Sequence, residues 1–395
     1  MKKAAAVLAL LAVQAGAAAA QIPNLPTFGD DWTDVAYPKI YYSNRDGFAL
    51  GLYYAQINQL GYDDWDAPPP FRAKLSLDFF FGTYGSKQFN VEWRAPKLVD
   101  GWRFVVQGQW VRRARENYFG IGNESVWDQS NVTDENRFYY RSNNRRAFAY
   151  GEVQRRIIGP LRVLVGFNLE EWHIDTLEGQ SQLALDRQNG LDPTIGVPTG
   201  DVSARIGLVF DTRDDEVAPR GGVLLQAIGA AADSSIMGDL TYTKLLFSAQ
   251  GYLPIGQRLV LAARVLGQTM DKAPRLGTYY SIENMERPFD VLGGSASHRG
   301  LWRVRHLDSD KLLGNFDVRY DLLAEPTLFR VTLLGFLDVG RVFPASEFKL
   351  TTEDLKWGGG AGLMVQLFRA AILGGTVGIG PENRLLALFY TSWTY

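Results

Sequence analysis

From Val35 onward, apolar and polar residues alternate at period two, and glycine, proline, asparagine and aspartate punctuate the runs. Val163, Val165, Phe167 and Leu169 interleave with Arg162, Asn168 and Glu170. Trp102, Phe104, Val106 and Trp110 interleave with Arg103, Gln107, Gln109 and Arg113, and Phe316, Val318 and Tyr320 with Asn315, Asp317, Arg319 and Asp321. Successive side chains of a strand point to opposite faces of its sheet, so each run has one greasy and one polar face. A soluble sandwich alternates in the same way, and length separates the two: these runs hold about ten residues, the span of a tilted membrane strand, against about five or six in a soluble one. The fold class expected is all-β, a transmembrane antiparallel β-barrel with an apolar belt outside and a polar lining inside.

Strands are expected near 36–43, 47–57, 71–82, 86–95, 101–114, 142–157, 161–173, 201–211, 222–234, 239–253, 258–270, 312–322, 329–341, 357–369, 371–380 and 384–395. The total is sixteen, an even number, as bacterial single-chain barrels have. With the N-terminus in the periplasm, the long connections 115–141, 174–200, 271–311 and 342–356 fall outside the cell. The short ones, at 158–160, 253–257 and 324–327, fall inside, which is the usual asymmetry of such barrels. Pro38 removes a ladder donor and places the first strand at an edge or seam. In the last strand Leu385, Ala387, Phe389, Thr391, Trp393 and Tyr395 share one register, read as lipid-facing, with Phe389, Trp393 and Tyr395 as an assembly signal.

Composition sharpens this picture. Hydrophobic residues make up 46% and aromatics 13% of the 395 residues, with ten Trp, eighteen Tyr and twenty-two Phe. Girdles at two lipid interfaces use aromatics in such numbers, which an aqueous core does not need. The first twenty residues, with Lys2, Lys3 and an apolar run from Ala4 to Val13, read as a secretory signal peptide. Residues 21–35 then form a short periplasmic segment and 36–395 the barrel. Loss of Lys2 and Lys3 takes the formal charge from -2 to -4, which does not point to a nucleic-acid partner. There is no cysteine, hence no disulfide and no thiolate site. No other stretch holds 18 consecutive apolar residues, so a membrane form has to be a closed sheet.

Two segments go beyond a generic barrel. One is Phe210, Asp211, Thr212, Arg213, Asp214 and Asp215 followed by Pro219, Arg220, Gly221 and Gly222; the other runs Leu292, Gly293, Gly294, Ser295, Ala296, Ser297, His298, Arg299, Gly300 and Leu301. With Leu313, Gly314 and Asn315, and Phe336, Leu337, Asp338, Val339 and Gly340, they resemble the bacterial surface antigen barrels of the BamA/TamA outer-membrane family from about 201 to 395. Tyr118, Phe119, Gly120, Ile121, Gly122 and Asn123 resemble a segment of its short members. The Arg-Gly motif falls between the eleventh and twelfth strands, where the family's sixth extracellular loop folds into the lumen.

Alternation alone points Asp338, Asp317 and Asp321 inward, and a guanidinium in a narrow lumen requires a bidentate acceptor. Arg299 is therefore expected to pair with Asp338, as the resemblance also implies. His298 and Leu301 stand where the family usually has a valine and an aromatic. About fifteen residues precede the first strand, with no room for the periplasmic polypeptide-transport domains of the large assembly members, so the fold transfers and the client-receiving role does not.

The carboxylates of 211–216 invite a calcium reading, but Arg213 interrupts them and the spacing is not that of an EF-hand; a charged periplasmic turn closed by Pro219 and Gly221 is the simpler expectation. Of three histidines, His173 lies near Glu170 and Asp175, yet no nucleophile turn or metal spacing accompanies it, so the chain is read as no enzyme and as needing no cofactor or metal. Three function classes stay open: a barrel assisting protein insertion or translocation at a weak seam between its first and last strands, a passive pore, and, least supported, a barrel hydrolase. Expected partners are outer-membrane lipid and lipopolysaccharide, the barrel-assembly machinery during biogenesis, and a separately encoded periplasmic protein.

Overall fold

A computed structural model describes residues 32–395 except 65, 273–274, 326–327, 369–370 and 383. The signal peptide and residues 21–31 lie outside the described residues. In chain order the strands are β1 (Trp32–Ser43), β2 (Gly47–Asn58), β3 (Ala73–Gly82), β4 (Lys87–Val99), β5 (Trp102–Asn117), β6 (Arg141–Ile158), β7 (Leu161–Asp175), β8 (Thr199–Asp211) and β9 (Gly222–Ala232). They continue with β10 (Tyr242–Ile255), β11 (Leu259–Met270), a two-residue pair β12 (Ser281–Ile282) and β13 (Phe289–Asp290), then β14 (Asp310–Glu325), β15 (Phe329–Phe343), β16 (Lys356–Leu367), β17 (Ala371–Ile379) and β18 (Leu385–Tyr390). All but β12 and β13 join one 16-stranded antiparallel sheet in sequence order, the transmembrane β-barrel. Among the described residues no helix is long and apolar enough to cross a membrane.

The period-two pattern fixes the two faces. Phe89, Val106, Val165, Phe167, Leu208, Phe247 and Leu337 are exposed on the outer belt. Arg103, Glu152, Arg205, Arg264 and Asp317, one position out of phase, are buried inside. The lining differs from the uniformly polar one expected. Leu164, Val209, Leu224, Ile228, Leu246 and Leu266 also point inward and join Leu276, Tyr280, Ile282, Met285, Val291, Leu292, Leu301 and Val304 in one apolar cluster. The connection 271–309 is the reason, because it folds into the lumen and offers the β7–β11 wall an apolar surface to pack against.

Two strand ends are corrected. β1 begins at Trp32 rather than at 36. β18 stops at Tyr390, and the last five residues leave the ladder. Leu385 and Phe389 face lipid as expected, but Trp393 and Tyr395 do not. The Tyr395 hydroxyl donates to the Ala262 carbonyl (3.0 Å). The Arg319 guanidinium lies over the rings of Trp393 (4.2 Å) and Tyr395 (5.3 Å), and that of Arg264 over Tyr395 (5.0 Å). A guanidinium inside the barrel has little water, so an aromatic face stabilises it more than at a wet surface, and the two rings are drawn in accordingly.

With lipid-borne bromine quenchers in proteoliposomes, Trp393→Phe is expected to leave the quenchable fraction of tryptophan fluorescence unchanged, while Trp110→Phe lowers it. A fall for Trp393→Phe would restore the lipid-facing register.

Candidate functional site

The lumen centre is built around the tip of the sixth extracellular loop. Gly293 (φ 121°) turns the chain where any Cβ would lie 2.0 Å from the Trp302 carbonyl oxygen. Gly300 presses against the backbone of β16 and β17, where an added Cβ would meet Ile379 O at 2.8 Å and Gly358 Cα at 2.9 Å. Between these glycines Arg299 is fully buried. Its amide (2.7 Å) and Nε (2.8 Å) donate to Asp338 Oδ2, and its Nη2 donates to Asp338 Oδ1 (2.6 Å) and Asp317 Oδ1 (2.7 Å). Phe336 closes one face of the guanidinium at 4.1 Å.

The network runs further along the wall. Asn315 donates to Asp338 Oδ1 (2.7 Å) and to the Ser297 carbonyl (2.6 Å), and accepts from Arg264 Nε (2.9 Å). Arg264 also donates to the carbonyls of Ala296 in the loop (2.8 Å) and Thr394 in the tail (3.3 Å). Arg319 Nη2 reaches Asp317 (2.9 Å) and the Tyr395 carbonyl (3.3 Å). Loop tip and C-terminal segment therefore hang on one chain of charges. His298 is buried, with Nε2 at 3.0 Å from the Lys356 carbonyl, an Nε2–H donor. Burial pushes this imidazole below its ordinary range and keeps it neutral. Gly340 leaves room for Leu292, whose Cδ1 would lie 2.3 Å from a Cβ there.

The other predicted motif reaches further than a turn. Arg213 holds Asp211 through Nε and Nη2, both at 3.0 Å, and Arg162 holds it at 3.0 Å. Asp214 accepts from the Arg220 amide (2.9 Å) while its own amide donates to the Gly221 carbonyl (3.2 Å). Asp215 accepts from the amides of Val217 and Ala218, and Pro219 is buried. The carboxylates of this segment are thus taken up by protein donors, and among the described residues no group of acidic and histidine side chains could hold a metal. Glu216 is the part that alternation did not reveal. It reaches across to the wall of β4 and β5, where Arg94 (2.5 Å) and Arg103 (2.6 Å) hold it. Both arginines also hold Glu286 of the sixth loop, at 2.7 Å and 2.9 Å. Val217 and Ala218 pack with Leu334, Met364, Ile372, Tyr390 and Trp393. The lumen is thus filled from the outer side by 271–309 and from the periplasmic side by 212–221 and the C-terminal residues. The signal that could have revealed this was the inward parity of Arg94 and Arg103 on strands with too few carboxylates to match them.

The arrangement of sheet, inward loop and Arg-Gly tip is matched by a family model. Residues 73–370 fit the Omp85 superfamily domain. The chain belongs to the Omp85 superfamily. Among solved structures it is similar in fold to BamA from Haemophilus ducreyi lacking POTRA domains 1-3, at TM-score 0.54 and 11% identity over 91% of this chain and 71% of that one. It is also similar to CdiB from Escherichia coli, at TM-score 0.57 and 13% identity, with 93% of this chain and 64% of that one covered. No curated protein sequence matches it. It is an outer-membrane protein of a Gram-negative cell.

In this Omp85 barrel the histidines do not converge on a catalytic constellation. His173 stands opposite Arg145 with the outward parity of β7, while Glu170, on the inward parity, holds Arg146. Of the two carboxylates set beside His173 from sequence, Glu170 is therefore separated from it by the sheet, whereas Asp175 shares its parity and lies 3.9 Å from Arg187. His306 lies in the loop, with Nδ1 at 3.3 Å from Ser125 Oγ and 3.4 Å from the Gly122 carbonyl.

Arg299→Ala leaves Asp338 buried without its cation while Asp317 keeps Arg319, a change that costs about 3–5 kcal/mol. The loop is expected to become protease-sensitive between 271 and 309 and the heat-modifiable band to weaken, with Arg299→Lys intermediate because an ammonium cannot fork onto a carboxylate; equal protection in all three proteins would refute this.

Acid should loosen the same loop. Burial raises the Glu286 carboxyl, and Arg94 and Arg103 more than reverse this, leaving it at about 2 against 4.5 for a free glutamate. A depressed folded-state value stabilises the fold above the unfolded value and loses that stabilisation as pH falls through the folded one. Pepsin cleavage of the loop should therefore be slow at pH 4 and rise towards pH 2, with Glu286→Gln showing a flatter profile.

Proposed function

We propose that this barrel assists insertion or translocation of protein at the outer membrane, and that it works at the seam between β1 and β18 rather than through its lumen. One observation carries the reading. The lumen is occupied from both ends by side chains bonded to its wall, whereas β18 pairs with β17 over only six positions, against twelve between β1 and β2. Among the described residues the ladder runs from β1 to β18 without a β1–β18 pair. Pro38 on β1 further thins the donors available there. Superfamily membership and the fold shared with BamA and CdiB barrels support the same class of action. The passive-pore reading is disfavoured because the inward cations are neutralised in place by Glu216, Glu286, Asp317 and Asp338 instead of forming a selective ring. No reaction chemistry is assigned to the chain. A separately encoded periplasmic protein remains part of this proposal as the source of clients.

The chain has no cysteine, so introduced pairs report cleanly. Oxidised cysteine pairs scanned along 34–42 and 385–390 should abolish insertion of a client barrel into proteoliposomes, with reductant restoring it. In planar bilayers the intact protein should show little steady current. Large currents with a cross-link-insensitive phenotype would favour a pore.

A further inference from the structure

A row of basic residues lies on the outside of the barrel, away from the lumen networks. The register pairs Lys87 of β4 with Arg112 of β5, Arg112 with Arg145 of β6, and Arg145 with His173 of β7. All four share the parity of the lipid-facing residues on their own strands: Lys87 with Phe89 and Val91, Arg112 with Trp110 and Val106, Arg145 with Ala147 and Ala149, His173 with Leu169 and Phe167. Arg112, Arg145 and His173 lie towards the strand ends that carry the long connections 118–140 and 176–198, and Lys87 lies level with them in the register, which places the row at the outer-leaflet headgroup level.

Directly opposed residues on neighbouring strands have Cβ atoms about 4.5–5.5 Å apart, and like charges so placed destabilise a sheet. The lumen cations described above are matched by carboxylates or, for Arg264, by Asn315 and two backbone carbonyls. Arg341, an outward cation on β15, is matched as well, by Asp354 at 3.4 Å. The β4–β7 row is not: among the described residues none of Lys87, Arg112, Arg145 and His173 has a carboxylate within ion-pair distance. Within the row, Arg112 Nε donates to a neutral acceptor, Asn143 Oδ1 (3.2 Å). Two acidic groups share its face. Glu171, opposite Ala147, lies one outward step towards the belt, and Asp175, one step above, is shared with Arg187 at 3.9 Å.

Below the cations the same strands present a furrow. Gly108, Ala147 and Ala149 are small, while Phe89 and Trp110 wall one side and Leu169 the other, and the Phe167 ring, lying over Gly151, closes the lower end. Phosphate at the row and hydrocarbon along the furrow require a ligand that carries both.

We propose that Lys87, Arg112 and Arg145, with His173 at the end of the row, form a binding site for the phosphate groups of an acylated, phosphorylated glycolipid of the outer leaflet. The guanidinium forks of Arg112 and Arg145 suit bidentate phosphate recognition, and Lys87 adds a point charge beside them. The bound anion removes the like-charge repulsion along the row and fixes this side of the barrel in the leaflet. Among the described residues the strands next to the β1–β18 seam carry no such row of opposed cations, so lipid is ordered on this flank and left free at the seam.

The test is native mass spectrometry of the full protein released from detergent, with diphosphorylated lipid A, the same lipid enzymatically dephosphorylated, and inorganic phosphate as competitor. Retention of the diphosphorylated lipid should exceed that of the dephosphorylated one by at least about tenfold, since each of the three Lys and Arg side chains at an anionic lipid surface adds roughly fivefold. Lys87→Gln/Arg112→Gln/Arg145→Gln should lose that preference while keeping heat-modifiable mobility, and Arg341→Gln should keep it. Equal retention of the two lipids by the unaltered protein overturns the site whether or not the triple variant folds. Displacement of the lipid by millimolar inorganic phosphate overturns the assignment to lipid, and an unchanged preference in a folded triple variant overturns the residues.

Discussion

A guanidinium buried in a narrow lumen has to be satisfied by protein, and the interior of this barrel is organised around that requirement. Arg299 enters on a loop from outside the cell and is met by two carboxylates from adjacent strands, Asp317 on β14 and Asp338 on β15. Two unit charges attract far more strongly there than in water, yet both pay a desolvation penalty that only good geometry offsets. The three bonds to Asp338 and the aromatic cover of Phe336 provide that geometry. Once the pair is fixed, the loop backbone is fixed, and with it the apolar surface that packs on the inward leucines of β7–β11.

The same logic, repeated with other arginines, ties separate segments together. Arg94 and Arg103 each hold one carboxylate from the outer loop and one from the periplasmic turn, so Glu286 and Glu216 compete for and share the same donors. Arg264 and Arg319 join the loop tip to the C-terminal residues. Segments remote in sequence and entering from opposite mouths are thereby coupled through short hydrogen bonds rather than through the sheet. Charge networks of this density cost stability if half satisfied, which explains why carboxylates and arginines alternate so closely along them.

Much of the fold was legible because period-two alternation is a local property: it places each residue of a ten-residue run on one face and needs no knowledge of its partner. The sixteen strands and the inward Asp338 follow from it, whereas the Arg299 tip was reached only through the resemblance of its loop motif to a known family. Partnership across the lumen is not local. Nothing in the spacing of Glu216 says that it crosses to Arg94, and Glu286 sits in a loop with no periodicity at all. The C-terminal residues misled for a different reason. Leu385, Phe389, Trp393 and Tyr395 keep the lipid-facing parity throughout, but parity has meaning only while the ladder continues, and it ends at Tyr390. The apolar lining of β7–β11 was obscured in the same way, since Leu164 and Leu224 lie out of phase with the belt and read as noise until a packing partner is known.

The place where the ladder ends bears on where the barrel acts. β17 runs from Ala371, but its pairing with β18 covers only 374–379, leaving the first positions of β17 without β18 opposite them. Residues 391–395 are the ones whose continuation would fill that gap, and they are instead held in the lumen by Arg264 and Arg319. The arginines that receive the tail therefore also shorten the last strand. A segment with two competing partners, a strand edge and a cation pair, lets the state of the lumen set the length of the seam, because any event that draws the loop tip away from Arg264 removes one of the tail's anchors as well.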